Sequence, residues 1–355
     1  MNLTLYLTEN CNLRCSYCVR EKCPNDMTEE TLRKSLDLAF SRGERAGLCF
    51  FGGEPLLRKD LIKQGLSIGH KKSVENRMPF STKITTNGTL LDEEILRIFK
   101  DAGTEVGFSF DGLMQDDSRR TPEGGKTFDL MVGKAELLLR YLPNSTAMCT
   151  VNPKSVGKLF DTVKFFHDTG FKKVICNPAY GHKVEWTDED LDVLKKQYAL
   201  ISDYLFDLFS KGDRFRLAPL HNKIAELISG IDPGRFCHLG LRQLAVAYNG
   251  YLYPCTSFLY KEDYCLGSVF DGIDEDKRVA LSKRCFVPEP CRECDLRTRC
   301  TNSCGCSNIL NTGSPDMISP LQCEYERLLI GTADELGDRL FEADKDRFLK
   351  MFKKY

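Results

Sequence analysis

Three cysteines near the start of the chain, Cys11, Cys15 and Cys18, could do chemistry together. Their CxxxCxxC spacing lets three thiolates meet at one metal centre only if the backbone wraps round it as a loop. A structural zinc site closes all four positions, whereas a 4Fe-4S cluster held by three cysteines leaves one iron open to a substrate or cofactor. A zinc knuckle or a few buried thiols is the plainer alternative. The loop follows the alternating run Leu3, Leu5 and Leu7, which reads as a strand.

A second group of thiols lies toward the other end. Tyr248-Asn249-Gly250-Tyr251 separates Leu244-Ala245-Val246 from Leu252-Tyr253-Pro254-Cys255, and Asn-Gly between apolar runs predicts a hairpin whose two central residues take positive φ. That hairpin brings Cys255 back toward Cys237. Cys291 and Cys294 follow as a CxxC, then Cys300, Cys304 and Cys323. A zinc ribbon would also explain the CxxC.

The chain has 355 residues, room for one large domain and a smaller one. A net charge of -1 argues against a nucleic-acid surface or a polybasic anchor. No apolar run reaches membrane-spanning length, and Met1 to Asn10 lacks signal-peptide character, so the expected address is the cytoplasm. Seventeen cysteines in a reducing compartment imply metal ligation and not a disulfide framework. Cys49, Cys149 and Cys176 fall on expected strands and read as core, with Cys23 a bystander. His238, beside Cys237, is the one histidine flagged as a possible ligand.

From Leu3 to about Pro178 strands and helices alternate. The strands are expected at Leu3–Leu7, Leu48–Phe51, Lys83–Thr86, Val106–Phe110, Ala147–Val151 and Val174–Asn177, and Thr28 and the stretch Leu91-Asp92-Glu93-Glu94 open helices. Six such units give a parallel sheet in a partial βα barrel. Polar and glycine-rich motifs fall at the strand ends, where parallel α/β folds keep their ligands: Gly52-Gly53-Glu54-Pro55, Thr86-Asn87-Gly88 and Ser109-Phe110-Asp111-Gly112. Singly, each glycine could be a turn glycine. Thr187-Asp188-Glu189-Asp190 then opens a long helix that bridges to the cysteine-rich part. From Glu324 onward a terminal helix is expected, ending in the basic stretch Phe348 to Lys354.

The opening motif, with Tyr17 between its last two cysteines, resembles the signature of the radical S-adenosylmethionine (SAM) superfamily, and the later cysteines resemble a SPASM domain. The resemblance implies an α/β fold: a partial (β/α)6 radical SAM barrel followed by a small cysteine-rich SPASM domain with two auxiliary iron-sulfur clusters. The expected divisions are 1–185 for the barrel, 186–236 for a helical bridge, 237–323 for the auxiliary-cluster domain and 324–355 for the C-terminal helix. Cys11, Cys15 and Cys18 would hold the cluster that binds SAM. Cys237, Cys255 and Cys304 would hold a first auxiliary 4Fe-4S cluster, with Cys265, Cys285 or Cys306 a possible fourth ligand. Cys291, Cys294, Cys300 and Cys323 would hold a second. Gly52, Gly53, Glu54, Asn87 and Ser109 match SAM-pocket positions, and Tyr17 accompanies the cluster. Arg120, or its neighbour Arg119, is the candidate partner of the SAM carboxylate. Phe51 departs from the Gln of sulfatase maturases.

Such enzymes cleave SAM to a 5'-deoxyadenosyl radical that takes hydrogen from a substrate carbon. The resemblance implies a precursor peptide as substrate, a cysteine-containing one for thioether formation, and a flavodoxin- or ferredoxin-type reductant. Sulfatase maturases carry an Asp base directly after the Tyr-Pro-Cys of the hairpin; here that residue is Thr256. Thioether-forming maturases of ribosomal peptides have no such requirement. Many begin with a leader-recognition domain, whereas this chain enters the barrel at once. Epimerisation, carbon-carbon crosslinking and formylglycine formation stay open, and an iron-sulfur relay without SAM chemistry is the non-enzyme alternative.

Overall fold

The structure, a computed structural model, describes residues 1–230, 239–240, 243–283, 289–301 and 304–352. Cys237, His238, Cys285, Lys353 and Lys354 lie outside the described residues.

Six parallel strands carry the expected barrel: β1 (Asn2–Tyr6), β2 (Ala46–Phe51), β3 (Phe80–Thr86), β4 (Glu105–Ser109), β5 (Thr146–Val151) and β6 (Lys173–Pro178). They lie side by side in chain order, with Leu5 opposite Phe50, Phe50 opposite Ile84 and Cys149 opposite Cys176. Helices return the chain between strands, each started by local chemistry. Thr28 caps Glu29–Phe40 by accepting from the Thr31 amide, and Asp92 caps Glu93–Asp101 by accepting from the Ile95 amide. One face of each strand packs under these helices. Leu3, Leu5, Phe50, Ile84, Phe108 and Val174 are buried there with Leu32, Leu36, Ile95 and Phe166. Each such side chain contributes roughly 1.5–3 kcal/mol by leaving water. Cys149 and Cys176 belong to this layer, as their apolar character predicts.

Among the described residues the sheet has nine strands. β7 (Arg216–Ala218) adds to β6. β8 (Gln243–Val246) lies parallel to β1, with Gln243 opposite Asn2 and Val246 opposite Leu5, and β9 (Leu252–Tyr253) returns antiparallel beside it. The hairpin that delivers Cys255 is therefore an extension of the barrel sheet.

Its turn differs from the expected type. Gly250 has φ +90°, but Asn249 is not among the described residues with positive φ. The Gly250 amide donates to Ala247 O at 2.9 Å, and the Ala247 amide donates to Tyr251 O at 2.9 Å. This is a type I turn closed by a left-handed glycine, so only Gly250 needs the left-handed region.

The bridging helix, Asp188–Ser210, starts with a capping box in which Thr187 and Asp190 satisfy each other's amides. It packs against Pro320–Ala343, where Tyr198 and Tyr325 share a hydroxyl contact of 3.2 Å. That second helix begins at Pro320, so Cys323 already lies on its first turn. No described helix is long and apolar enough to cross a membrane.

Candidate functional site

The loop leaving β1 is wrapped by its own polar groups. The Asn10 side chain accepts from the Cys11 amide at 2.8 Å, Arg14 donates to Cys11 O at 2.6 Å, and the Cys18 amide donates to Cys15 O at 3.0 Å. A two-residue ladder pins its middle, pairing Arg14 with Arg120 and Cys15 with Arg119. Cys11, Cys15 and Cys18 consequently border one cavity of about 360 Å³ at the carboxyl ends of the strands. Among the described residues no three of His, Cys, Asp and Glu are grouped as a single metal ion requires.

Burial pushes the Cys15 thiol up to about 11 and raises Cys11 as well. Burial also opposes ionisation of Cys18, but the Lys22 ammonium, 3.1 Å from its sulfur, outweighs it and leaves the thiol below its ordinary value. Burial therefore disfavours the thiolate at two of the three, a cost that metal ligation would offset.

Gly52 and Gly53 bring the end of β2 against this loop. A Cβ on Gly53 would stand 2.1 Å from Asn10 O, and one on Gly52 2.6 Å from Thr8 O. Gly52 also has φ +147°, so backbone geometry and close approach both demand glycine there.

Glu54 does not reach the cavity. It is fully buried, with Oε1 accepting from Leu56 N at 2.9 Å and Thr86 Oγ1 at 2.6 Å, and Oε2 from Asn87 N at 2.7 Å. Burial raises its carboxyl to about 6, against the pull of those donors. The carboxylate expected among the cofactor contacts instead locks the glycine loop to the end of β3.

Asn87 and Ser109 line the cavity as expected. Asn87 also braces the cysteine loop, donating to Asn12 Oδ1 at 2.9 Å and approaching Cys11 Sγ at 3.8 Å. Tyr17 is half-buried, and its hydroxyl donates to Asp111 Oδ2 at 2.8 Å.

The arginine facing the cavity is Arg119, and Arg120 is corrected to an outward role. Arg120 donates to Gly124 O at 3.0 Å on the surface side. Arg119 lies over the Tyr17 ring at 5.4 Å and reaches Cys15 Sγ at 3.9 Å. Its Nε is 2.9 Å from Asp111 Oδ2, within ion-pair range, although the N–H is not aimed at an acceptor. Alternating sides of a two-residue strand separate the neighbours, and the register with Cys15 decides which faces in.

The far wall comes from the hairpin and from β6. Thr256 and Ser257 line the cavity, as do Thr150, Tyr180 and Tyr6. Arg20 donates to the Thr256 carbonyl, tying the cysteine loop to the hairpin. Sequence reasoning did not select Ser257, Thr150, Tyr180 or Tyr6. Thr150 and Tyr180 could have been found by position alone, since they lie at or just past the ends of β5 and β6.

Two further sets of neighbouring thiols lie among the described residues. Cys255 is hydrogen-bonded to Cys306 and lies near Cys304; the Cys306 contact holds its thiol down to about 6 despite burial. Cys265 and Cys306 pack with Cys255 against Phe258 and Leu239. Cys291 lies near Cys323 and Cys294, and Arg327 is bonded to Cys323. Of the residues named as possible fourth ligands, Cys306 is the one hydrogen-bonded to Cys255.

An open-sided barrel with three thiols and a glycine-lined cavity at its strand ends is an arrangement that could hold a metal cofactor. Residues 5–166 match the Radical SAM superfamily profile. It is 25% identical to the serine-type anaerobic sulfatase-maturating enzyme of Bacteroides thetaiotaomicron, over 83% of this chain and 80% of that one. It is 23% identical to the cysteine-type enzyme of Clostridium novyi, over 84% and 85%. The fold matches anSMEcpe with bound AdoMet at a TM-score of 0.77 and 20% identity, covering 100% of this chain and 95% of that one. It matches Streptococcus suis SuiB bound to precursor peptide SuiA at 0.65 and 18% identity, covering 91% and 75%.

The residues present fit the cofactors of this superfamily. Three thiols share a cavity, a glycine cradle admits close backbone approach, and the Arg119 guanidinium has an unaimed N–H. Cys11, Cys15 and Cys18 would hold a 4Fe-4S cluster, and the cavity between Gly53, Asn87, Ser109 and Arg119 would hold SAM. When bound, this pair supplies an electron and a carbon-centred radical able to take hydrogen from an unactivated C–H bond. The chain itself fixes geometry: Glu54 and Asn87 hold the cradle and cysteine loop in register, Asp111 orients Tyr17 and Arg119, and the Thr256 wall limits water.

Proposed function

We propose that this protein is a radical SAM maturase that modifies a ribosomally made peptide, forming a thioether from a peptide cysteine. The observation that carries this reading is the cavity wall. Thr256 and Ser257 face the same space as Cys18 and Arg119, and no carboxylate is among the described residues lining it. Formylglycine formation from Ser needs a base for a hydroxyl, and the residue that would supply it is Thr256. A cysteine thiol, with an ordinary value of about 8.5, gives up its proton far more readily. Cys255, Cys304 and Cys306, with Cys237, would carry one auxiliary cluster behind that wall, and Cys291, Cys294, Cys300 and Cys323 another. An oxidoreductase of this kind would draw electrons from a flavodoxin- or ferredoxin-type partner.

A second reading, sulfatase maturation, is favoured by the match to sulfatase-maturating enzymes over four-fifths of both chains. One experiment separates the two. The reconstituted protein is incubated anaerobically with SAM, reductant and either a cysteine-rich peptide from a neighbouring reading frame or a sulfatase-type peptide. Loss of two hydrogens per site from the first, with fragments showing sulfur joined to carbon, supports thioether formation. An unchanged first peptide, beside conversion of the second to its aldehyde, overturns it.

A further inference from the structure

Residues 289–301, which carry Cys291, Cys294 and Cys300, contribute no buried side chain to the core. Their internal bonds are local turns, such as Cys294 N to Cys291 O at 3.3 Å and Arg297 N to Cys294 O at 3.0 Å. Local turns of this kind do not fix where the segment sits.

Its far end is gripped by charges that are themselves buried. Lys223, on the helix Leu220–Ser229, has a side chain 2% exposed, and Glu326, on the helix Pro320–Ala343, one 6% exposed; they are 3.0 Å apart. Lys223 Nζ donates to the Arg299 carbonyl. Glu326 accepts from the Thr301 amide at 3.1 Å and from the Thr301 hydroxyl. The two charges therefore hold the main chain on either side of Cys300. Arg299 closes the circuit, with its guanidinium bonded to both oxygens of Asp334 at 2.6 and 2.8 Å and to Lys223 O at 3.3 Å.

The helix spacing adds to this. Cys323 and Glu326 are three residues apart, so one helix face presents both a thiol near Cys291 and Cys294 and the carboxylate that grips Thr301. A buried ion pair is a costly way to join two helices where apolar residues would serve. Here it satisfies main-chain groups of a segment that has no core of its own.

We propose that Lys223 and Glu326 are positioning residues that set the backbone of Cys300 for ligation beside Cys291, Cys294 and Cys323. This rests on the reading that those four thiols hold an auxiliary cluster.

The test uses the full chain, reconstituted anaerobically, and reads iron and sulfide content, EPR spectra and midpoint potentials. Cys291→Ala is the reference and is expected to lose about four irons per chain. Lys223→Met combined with Glu326→Leu removes both charges together, and Thr301→Val is the milder variant should the pair fail to fold. The expected result is loss of the same EPR component as in Cys291→Ala, or a shift in its potential, while the signal abolished by Cys15→Ala persists. If Cys291→Ala loses iron but the folded clamp variants keep wild-type iron, spectrum and potential, the positioning role is overturned. If Cys291→Ala itself loses no iron, the cluster reading fails first, and the inference with it.

Discussion

Replacing Glu54 tests whether the second-strand motif is a cofactor ligand or a brace. The carboxylate accepts three hydrogen bonds and is not itself among the residues lining the cavity. In Glu54→Gln the amide oxygen can keep Leu56 N and Thr86 Oγ1, which turns the NH2 toward the Asn87 amide. That loses one charge-assisted bond and leaves a buried donor facing another, a cost of about 2–5 kcal/mol. Against it, a carboxyl raised from 4.5 to about 6 carries a burial strain of roughly 2 kcal/mol at neutral pH that the amide does not have. The net expectation for Glu54→Gln is a loss of about 0–3 kcal/mol, and for Glu54→Ala, with all three donors orphaned, at least ~4 kcal/mol. Urea unfolding of the apo-protein measures both, and SAM binding is measured in parallel by calorimetry on reconstituted protein. The brace predicts that stability falls in both variants, Ala below Gln, and that SAM affinity falls with it as Asn87 loosens. Wild-type unfolding midpoints together with abolished SAM binding would refute the reasoning and make Glu54 a direct ligand.

Three further outcomes are expected. Arg119→Met should lower 5'-deoxyadenosine formation at least tenfold and destabilise the fold by roughly 3–5 kcal/mol, because it leaves Asp111 buried without its cation, whereas Arg120→Met should change either by little. Assaying the two side by side checks the assignment, and an equal loss in both sinks it. Gly53→Ala should cost on the order of 1–3 kcal/mol and reduce iron retention at the first cluster, since the new methyl meets the Asn10 carbonyl, which is main chain and cannot swing aside. His221 is buried, and burial holds its imidazole down to about 4 against an unfolded value near 6.5. The folded state binds fewer protons, so this contribution is present above pH 6.5 and is lost as pH falls toward 4. It amounts to about 3 kcal/mol. His221→Gln should flatten that part of the stability profile, as read by unfolding at pH 7, 5.5 and 4.5.

The barrel was legible because its signals are local. Alternating apolar residues mark each strand, caps such as Thr28 and Asp92 mark helix starts, and three cysteines within eight residues point to their chemistry. What was not legible depends on register or distance. Arg119 and Arg120 are chemically identical, and only the pairing of Cys15 with Arg119 tells them apart. Glu54 sits in a motif whose resemblance implies ligand contact, while its role is set by two donors at Thr86 and Asn87, about thirty residues away and one strand over. At Asn249-Gly250 the composition marked the hairpin, but the choice between turn types rests on one φ angle. The alliance of β8 with β1 has no local signature at all, because a short apolar run pairs equally well with many edges.

That alliance has a consequence for how the chain is made. β1 emerges first, and its edge beyond β2 has no partner until Gln243–Val246 arrives. At typical rates of synthesis the interval is on the order of tens of seconds, during which a strand bearing Leu3 and Leu5 presents an open edge. The cysteine loop hangs from that same strand, and its anchor to the Thr256 carbonyl belongs to the late-arriving hairpin. Until the hairpin arrives, the loop is held by its own polar groups and by the ladder to Arg119 and Arg120, but lacks that anchor. Completion of the sheet, more than emergence of the cysteine motif, is therefore the event that closes the Thr256 wall over the first site.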